Sequence, residues 1–199
     1  RPASQSEPRQ QGSREPPQSS VSMPLSRPVE PPSRGPASRA GPASVRAPRP
    51  TVGRVDILPG NVGYLEVPSL IEFPADAAPA IADAMRKVAD TTALIIDVRG
   101  NGGGLPGTVA LLAAYLLKPE PVLLATIDNR SQRSSVESRT PATVDGPRYG
   151  TTRPVFVLVD RRSASAAESF AYFLQAFERA TIVGEQSAGA ANPGGLVRL

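Results

Sequence analysis

Two short apolar runs constrain this chain most. Ala93–Val98 (ALIIDV) and Pro154–Val159 (PVFVLV) carry almost no polar residue, and unbroken runs of this length suit strands buried on both faces of a parallel sheet. Each is followed by small and polar residues and then by a helical pattern, Thr108–Leu117 after the first and Ala164–Phe177 after the second. Strands alternating with helices predict an α/β domain with largely parallel pairing. Further strands are expected at Val62–Val67, Val122–Ile127 and Thr181–Gly184, with another beginning at Gly195–Leu199. Pro79–Ala89 reads as a helix with Pro79 in its first turn. Asp128–Thr152 is polar, contains Gly146, Pro147 and Gly150, and reads as an excursion: either a lid or a surface loop.

The runs belong to one part of the chain. Residues 1–50 hold 12 of the 23 prolines, ten serines and no aromatic residue, and eight arginines against three glutamates give them a net charge of +5. Nothing in RPASQSEPRQQGSREPPQSS can be buried to offset the entropy of ordering. The expected organisation is therefore a disordered Pro/Ser/Arg-rich tail or linker over residues 1–50 and an α/β domain over residues 51–199. The second part has a net charge of −1, so the basic character of the chain belongs to the tail. Its arginines are scattered and have no aromatic residues between them for base stacking, so no nucleic-acid partner is expected.

Composition removes several chemistries. The chain has neither Cys nor His, which excludes a disulfide scaffold, a Cys- or His-ligated metal, a thiol nucleophile and a Ser–His relay within these residues. No metal and no cofactor are expected. The longest apolar run, Val109–Leu117, is too short to span a bilayer.

Two segments can hold a ligand, because α/β sheets place their sites where strands give way to helices. The first is Asp97-Val98-Arg99-Gly100-Asn101-Gly102-Gly103-Gly104-Leu105-Pro106-Gly107. Consecutive glycines let backbone N–H groups approach a bound atom, and the helix N-terminus adds a positive dipole end, a combination suited to an oxyanion or phosphate. Gly102, Gly104 and Gly107 also match a dinucleotide-binding spacing. However, DVRGN separates them from the strand, and the acidic partner could only be Glu120 or Asp128. A glycine-rich tight turn with no ligand is the alternative reading of the same residues. The second segment is Asp160-Arg161-Arg162-Ser163-Ala164-Ser165-Ala166-Ala167-Glu168. By spacing, Ser165 and Glu168 form a capping box, the ordinary start of a helix. The same junction is where an α/β hydrolase holds its nucleophile. Together the segments supply the two parts of acyl transfer, a serine nucleophile and an amide array for the oxyanion.

ALIIDVRGNGGG, followed by SASAAESFAYFLQAFERATIVGEQSAGAANPGG, resembles the C-terminal processing (tail-specific) serine peptidases. The branch it resembles is that of the tricorn core and the interphotoreceptor retinoid-binding protein modules. The resemblance covers about residues 60–199 and is partial. It implies a crotonase-like α/β fold, peptide-bond hydrolysis, and a peptide or unfolded-protein substrate in an extracytoplasmic setting. Carried over by motif position, Ser165 would be the nucleophile and Glu168 its hydrogen-bond partner. Gly103, Gly104 and Ala166 would form the oxyanion hole. Asp97, Arg99 and Asn101 would be the framework that shapes the glycine turn.

The sequence departs from that pattern at the general base. The processing-peptidase branch places a Lys after the GExxx motif, where this chain has Gly189-Ala190-Ala191. The tricorn-like branch uses a His. Three functions follow as expectations: a serine peptidase whose base lies outside these residues, a degenerate peptide- or lipid-binding module, and a crotonase-type acyl-CoA enzyme. Substrate specificity and oligomeric state are not legible in the sequence.

Overall fold

A computed structural model describes residues 49–129 and 133–190. Residues 1–48 of the tail expected over residues 1–50, and the strand expected at Gly195–Leu199, lie outside the described residues. The described residues form ten elements: β1 (Val55–Leu58), β2 (Val62–Glu66), α1 (Pro74–Val88), β3 (Ala93–Asp97), α2 (Pro106–Ala114), β4 (Leu123–Asn129), β5 (Ser134–Arg139), β6 (Val155–Val159), α3 (Ala166–Ala176) and β7 (Thr181–Gly184). Five strands form one sheet in the order β1-β2-β3-β6-β7. The β1–β2 pair is antiparallel and every other pair is parallel, so the domain is α/β with a mostly parallel sheet, as expected.

The two apolar runs are adjacent central strands. Leu94 and Ile96 of β3 and Val155 and Val157 of β6 are buried, and Leu94 to Asp97 lie opposite Val155 to Leu158 in parallel register. α2 has seven consecutive buried residues, Thr108 to Ala114, because it packs against both α1 and α3. That position explains why its sequence is apolar on every face.

Several expected boundaries move. β1 was not expected. It pairs with β2 across a turn in which Gly60 and Asn61 take positive φ, and its four residues are too few for periodicity to stand out. α1 begins at Pro74, so Pro79 lies inside the helix rather than in its first turn. The buried stripe Ala77, Ile81, Met85 and Val88 compensates, because packing outweighs local propensity. α2 starts two residues earlier than expected, with Pro106 in the first turn.

The Asp128–Thr152 excursion is not structureless. It contains β5, which pairs antiparallel with β4 in a separate two-stranded sheet. Its later part is fastened to the domain. Tyr149 is buried, and its hydroxyl donates to the Thr91 carbonyl at 3.1 Å. Arg153 stacks its guanidinium on the Tyr149 ring at 3.8 Å and donates to the Thr91 carbonyl at 2.9 Å.

Candidate active site

Because β3 and β6 are parallel neighbours, their C-terminal ends place the glycine turn and the serine segment side by side. Three hydrogen bonds join the two segments, and a fourth continues the pairing of β3 and β6 just before them. Val98 N–H donates to the Leu158 carbonyl at 3.0 Å, and Ala164 N–H donates to the Asn101 carbonyl at 2.9 Å. Gly100 N–H donates to Asp160 Oδ1 at 2.9 Å, and the Ser163 hydroxyl donates to the Val98 carbonyl at 2.8 Å. Asp160 Oδ1 also accepts the N–H groups of Arg162 and Ser163, both at 3.0 Å. The N–H bond from Gly100, followed by those from Arg162, holds the Asp160 carboxyl below its ordinary value.

Asn101 shapes the glycine turn from inside. It is fully buried, donates from Nδ2 to the Val67 carbonyl at 2.8 Å, and accepts Gly103 N–H at Oδ1, also at 2.8 Å. Gly103 was expected among the oxyanion donors, but its N–H is taken up by this bond. Its contribution is steric. A Cβ on Gly103 would lie 2.7 Å from Ser165 Cβ and 2.8 Å from the Ala164 carbonyl oxygen, so only glycine lets the turn approach the serine this closely. Gly104 meets the Leu70 backbone on its other side, where a Cβ would fall 2.0 Å from the Leu70 carbonyl. Leu70 N–H donates to the Gly103 carbonyl at 3.0 Å, and Leu105 N–H donates to the Leu70 carbonyl at 2.7 Å. Among the described residues, the N–H groups of Gly104 and Ala166 have no protein acceptor.

Ser165 precedes α3 with φ 53° and ψ −118°. An ordinary N-cap residue has extended backbone angles. The observed conformation costs a non-glycine residue about 1–3 kcal/mol and is found where a site over-determines it. Capping alone does not require that strain, whereas presenting a hydroxyl at a sharp strand-to-helix turn does.

Glu168 anchors the site from below. Oε2 accepts Ser165 N–H at 2.8 Å and Ala190 N–H at 2.9 Å, while Oε1 accepts the Ser187 hydroxyl and Gly189 N–H, both at 2.7 Å. Burial pushes its carboxyl up, but the bonds from Ser187, Ser165, Gly189 and Ala190 outweigh that, and it sits below its ordinary value. A carboxylate with four donors and a lowered pKa is a poor proton acceptor. Glu168 therefore joins the start of α3 to the Ser187–Ala190 segment.

Asp97 and Arg99 form a bidentate pair at the edge of the turn, with Arg99 Nη2 to Asp97 Oδ2 at 2.6 Å and Nε to Oδ1 at 2.9 Å. The Tyr64 hydroxyl donates to Asp97 Oδ2 at 2.7 Å. Burial raises the Asp97 carboxyl, but the Arg99 and Tyr64 bonds prevail and lower it overall. Burial and the Asp97 carboxylate both raise the Tyr64 phenol.

The lysines do not complete the site. Lys87 donates to the Val55 carbonyl of β1. Lys118 borders a cavity with Phe177 and Glu178, beyond the C-terminal end of an eleven-residue helix about 16 Å long. No group of three or more acidic side chains that could hold a metal occurs among the described residues.

Sequence reasoning did not assign roles to Asp160, Ser163, Ser187 and Tyr64. One signal was available: each apolar run carries an Asp at or just beyond its C-terminal end, Asp97 in the first and Asp160 after the second.

Peptidase family S41 matches residues 61–198 of the chain. A carboxyl-terminal-processing protease from Synechocystis sp. is 34% identical over 137 residues, covering 67% of this chain and 30% of that protein. A tail-specific protease from Haemophilus influenzae is 30% identical over 130 residues, covering 65% of this chain and 17% of that one. The chain thus spans less than a third of the length of either relative. Among solved structures, a photosystem II D1 C-terminal processing protease superposes with a TM-score of 0.50 at 26% identity, over 71% of this chain and 36% of that one.

Proposed function

The chain belongs to peptidase family S41, and from that premise we propose that residues 51–199 carry the nucleophile and the oxyanion hole of a serine peptidase acting on peptides or unfolded proteins. The observation that carries the reading is the strained backbone of Ser165, held against Gly103 at the junction of β6 and α3. In this reading Ser165 Oγ attacks the scissile carbonyl. The Gly104 and Ala166 N–H groups hold the oxyanion of the tetrahedral intermediate. The amine then leaves, and water hydrolyses the acyl-enzyme. Glu168 is a positioning residue, and Asp97, Arg99 and Asn101 keep the glycine turn in shape. A crotonase-like core belongs to the same reading, supported by the parallel order β2-β3-β6-β7 with the glycine turn after β3 and the serine after β6.

The Ser165 proton has to pass to a base. The chain has no His, Glu168 is saturated with donors, and the two lysines lie elsewhere. We assign the base to a group outside these 199 residues. The test is labelling by a fluorophosphonate probe with and without added imidazole, on this chain and on Ser165→Ala. Labelling is expected to be slow, to depend on Ser165, and to accelerate at least tenfold with imidazole, because a formed site that lacks only its base is rescued by one from solution. Equal labelling of the two chains would overturn the assignment of Ser165.

A further inference from the structure

The bonds that hold the glycine turn against the serine segment converge on two residues ahead of Ser165. Asp160 Oδ1 takes three N–H groups, from Gly100 at 2.9 Å and from Arg162 and Ser163 at 3.0 Å. The Asp160 Oδ2 atom faces the exposed Arg162 side chain, 3.4 Å from Nε and Nη2. Ser163 is fully buried. Its hydroxyl donates to the Val98 carbonyl at 2.8 Å and accepts Asp160 N–H at 3.0 Å. Its carbonyl accepts Ala188 N–H at 3.0 Å. An Asp that closed its own turn would need the Arg162 and Ser163 bonds alone. The bond to Gly100, 60 positions away, serves a different purpose. Gly100 takes φ 70°, so this bond fixes the residue where the glycine turn changes direction. A carboxylate bonds an N–H more strongly than a neutral acceptor does, and Asp160 supplies the charged acceptor among the bonds between the two segments.

Resting on the reading of Ser165 as nucleophile, we propose that Asp160 is a positioning residue for the reaction: with Ser163 it forms a clasp that sets the Gly104 N–H group at its distance from Ser165 Oγ and the Ala166 N–H. It acts through Gly100 and not on the reacting atoms. Gly104 follows Gly100 on one side of the clasp, and Ser165 and Ala166 follow Asp160 and Ser163 on the other. A clasp that loosens therefore moves the two halves of the oxyanion hole apart.

The test is fluorophosphonate labelling in imidazole, with the maximal rate and the half-saturating probe concentration measured separately, on this chain, Asp160→Asn, Ser163→Ala and Thr91→Val. Asp160→Asn keeps the shape and removes the charge. Ser163→Ala removes the bond to Val98 and keeps the carboxylate. Thr91→Val is the control for lost stability: it removes a buried hydroxyl that donates to the Val88 carbonyl at 2.7 Å, ahead of β3 and away from the glycine turn. In Asp160→Asn and Ser163→Ala, folded by circular dichroism, the maximal rate should fall by about 10–100-fold, because a displaced oxyanion donor costs part of what a deleted one does. The half-saturating concentration should stay within about twofold. Thr91→Val should label at the parent rate. Folded Asp160→Asn or Ser163→Ala labelling at the parent rate would overturn the clasp, and so would an equal loss in Thr91→Val. Backbone amide resonances give a second readout. Asp160→Asn should shift those of Gly104 and Ala166, and Thr91→Val should leave them in place. Shifts confined to residues 160–163 would overturn the clasp. If Ser165 labels in none of the chains while the Gly104 and Ala166 resonances move in Asp160→Asn, the nucleophile reading fails and the clasp stands.

Discussion

At the scale of single residues, Ser165 pairs an unfavourable backbone with a constrained neighbourhood. Its φ of 53° is tolerated well only by glycine. Ala164 N–H on Asn101, Ser165 N–H on Glu168 and the contact with Gly103 leave the peptide no room to relax. Ser165→Ala removes the hydroxyl and keeps the strain, whereas Ser165→Gly removes both. Ser165→Gly should therefore be more stable than Ser165→Ala by about 1–2 kcal/mol, read from urea unfolding midpoints. A less stable glycine variant would show that the turn is unstrained. Gly103 and Glu168 are as tightly held: Gly103 N–H is bonded to Asn101, and the Glu168 carboxylate accepts four donors.

At the scale of elements, the stretch after β5 departs most from a sequence reading. Its polarity and glycines suggest a mobile flap, but Tyr149 N–H donates to the Tyr115 carbonyl at 2.8 Å, and the buried Tyr149 ring carries Arg153. A segment held by a buried aromatic and several main-chain bonds opens only with its surroundings. The Tyr149 amide should exchange with solvent as slowly as those of α2, which hydrogen exchange can measure. Exchange faster by orders of magnitude would restore the flap. The glycine turn was legible as an element because GNGGG has few other uses. Its partner segment at Leu70 was not, because a parallel bridge between residues 34 positions apart, Leu70 and Gly104, leaves no local pattern.

For the molecule as a whole, the carboxylates at the site set an acid limit. The Asp97, Asp160 and Glu168 carboxyls are lower in the fold than their ordinary values of 3.8, 3.8 and 4.5. A depressed folded pKa contributes stability that is complete above the unfolded value and is lost as pH falls through the folded one. The urea midpoint should stay flat from pH 7 to about 5 and drop below 4.5, and Glu168→Gln should be less stable at pH 7 with a shallower fall. A Glu168→Gln profile parallel to that of the parent would mean that Glu168 is not linked to folding. Asp160 joins the glycine turn to the serine segment, and Asp97 and Glu168 each brace one of them, so the site and the fold are expected to fail together in acid.

The sequence by itself determined the two central strands, the glycine turn, the helix of the serine segment and the family resemblance, because each is encoded within a few dozen contiguous residues by apolar runs, small residues and caps. The tertiary structure decided what those pieces do to one another. Parallel register brought Asn101 to Ala164 and Gly103 to Ser165. Packing gave Ser165 its strained angles, turned Gly103 N–H toward Asn101, saturated Glu168 with donors, and set the Leu70 backbone against Gly104. Those outcomes depend on contacts between residues far apart in the chain, and local propensity carries no record of them.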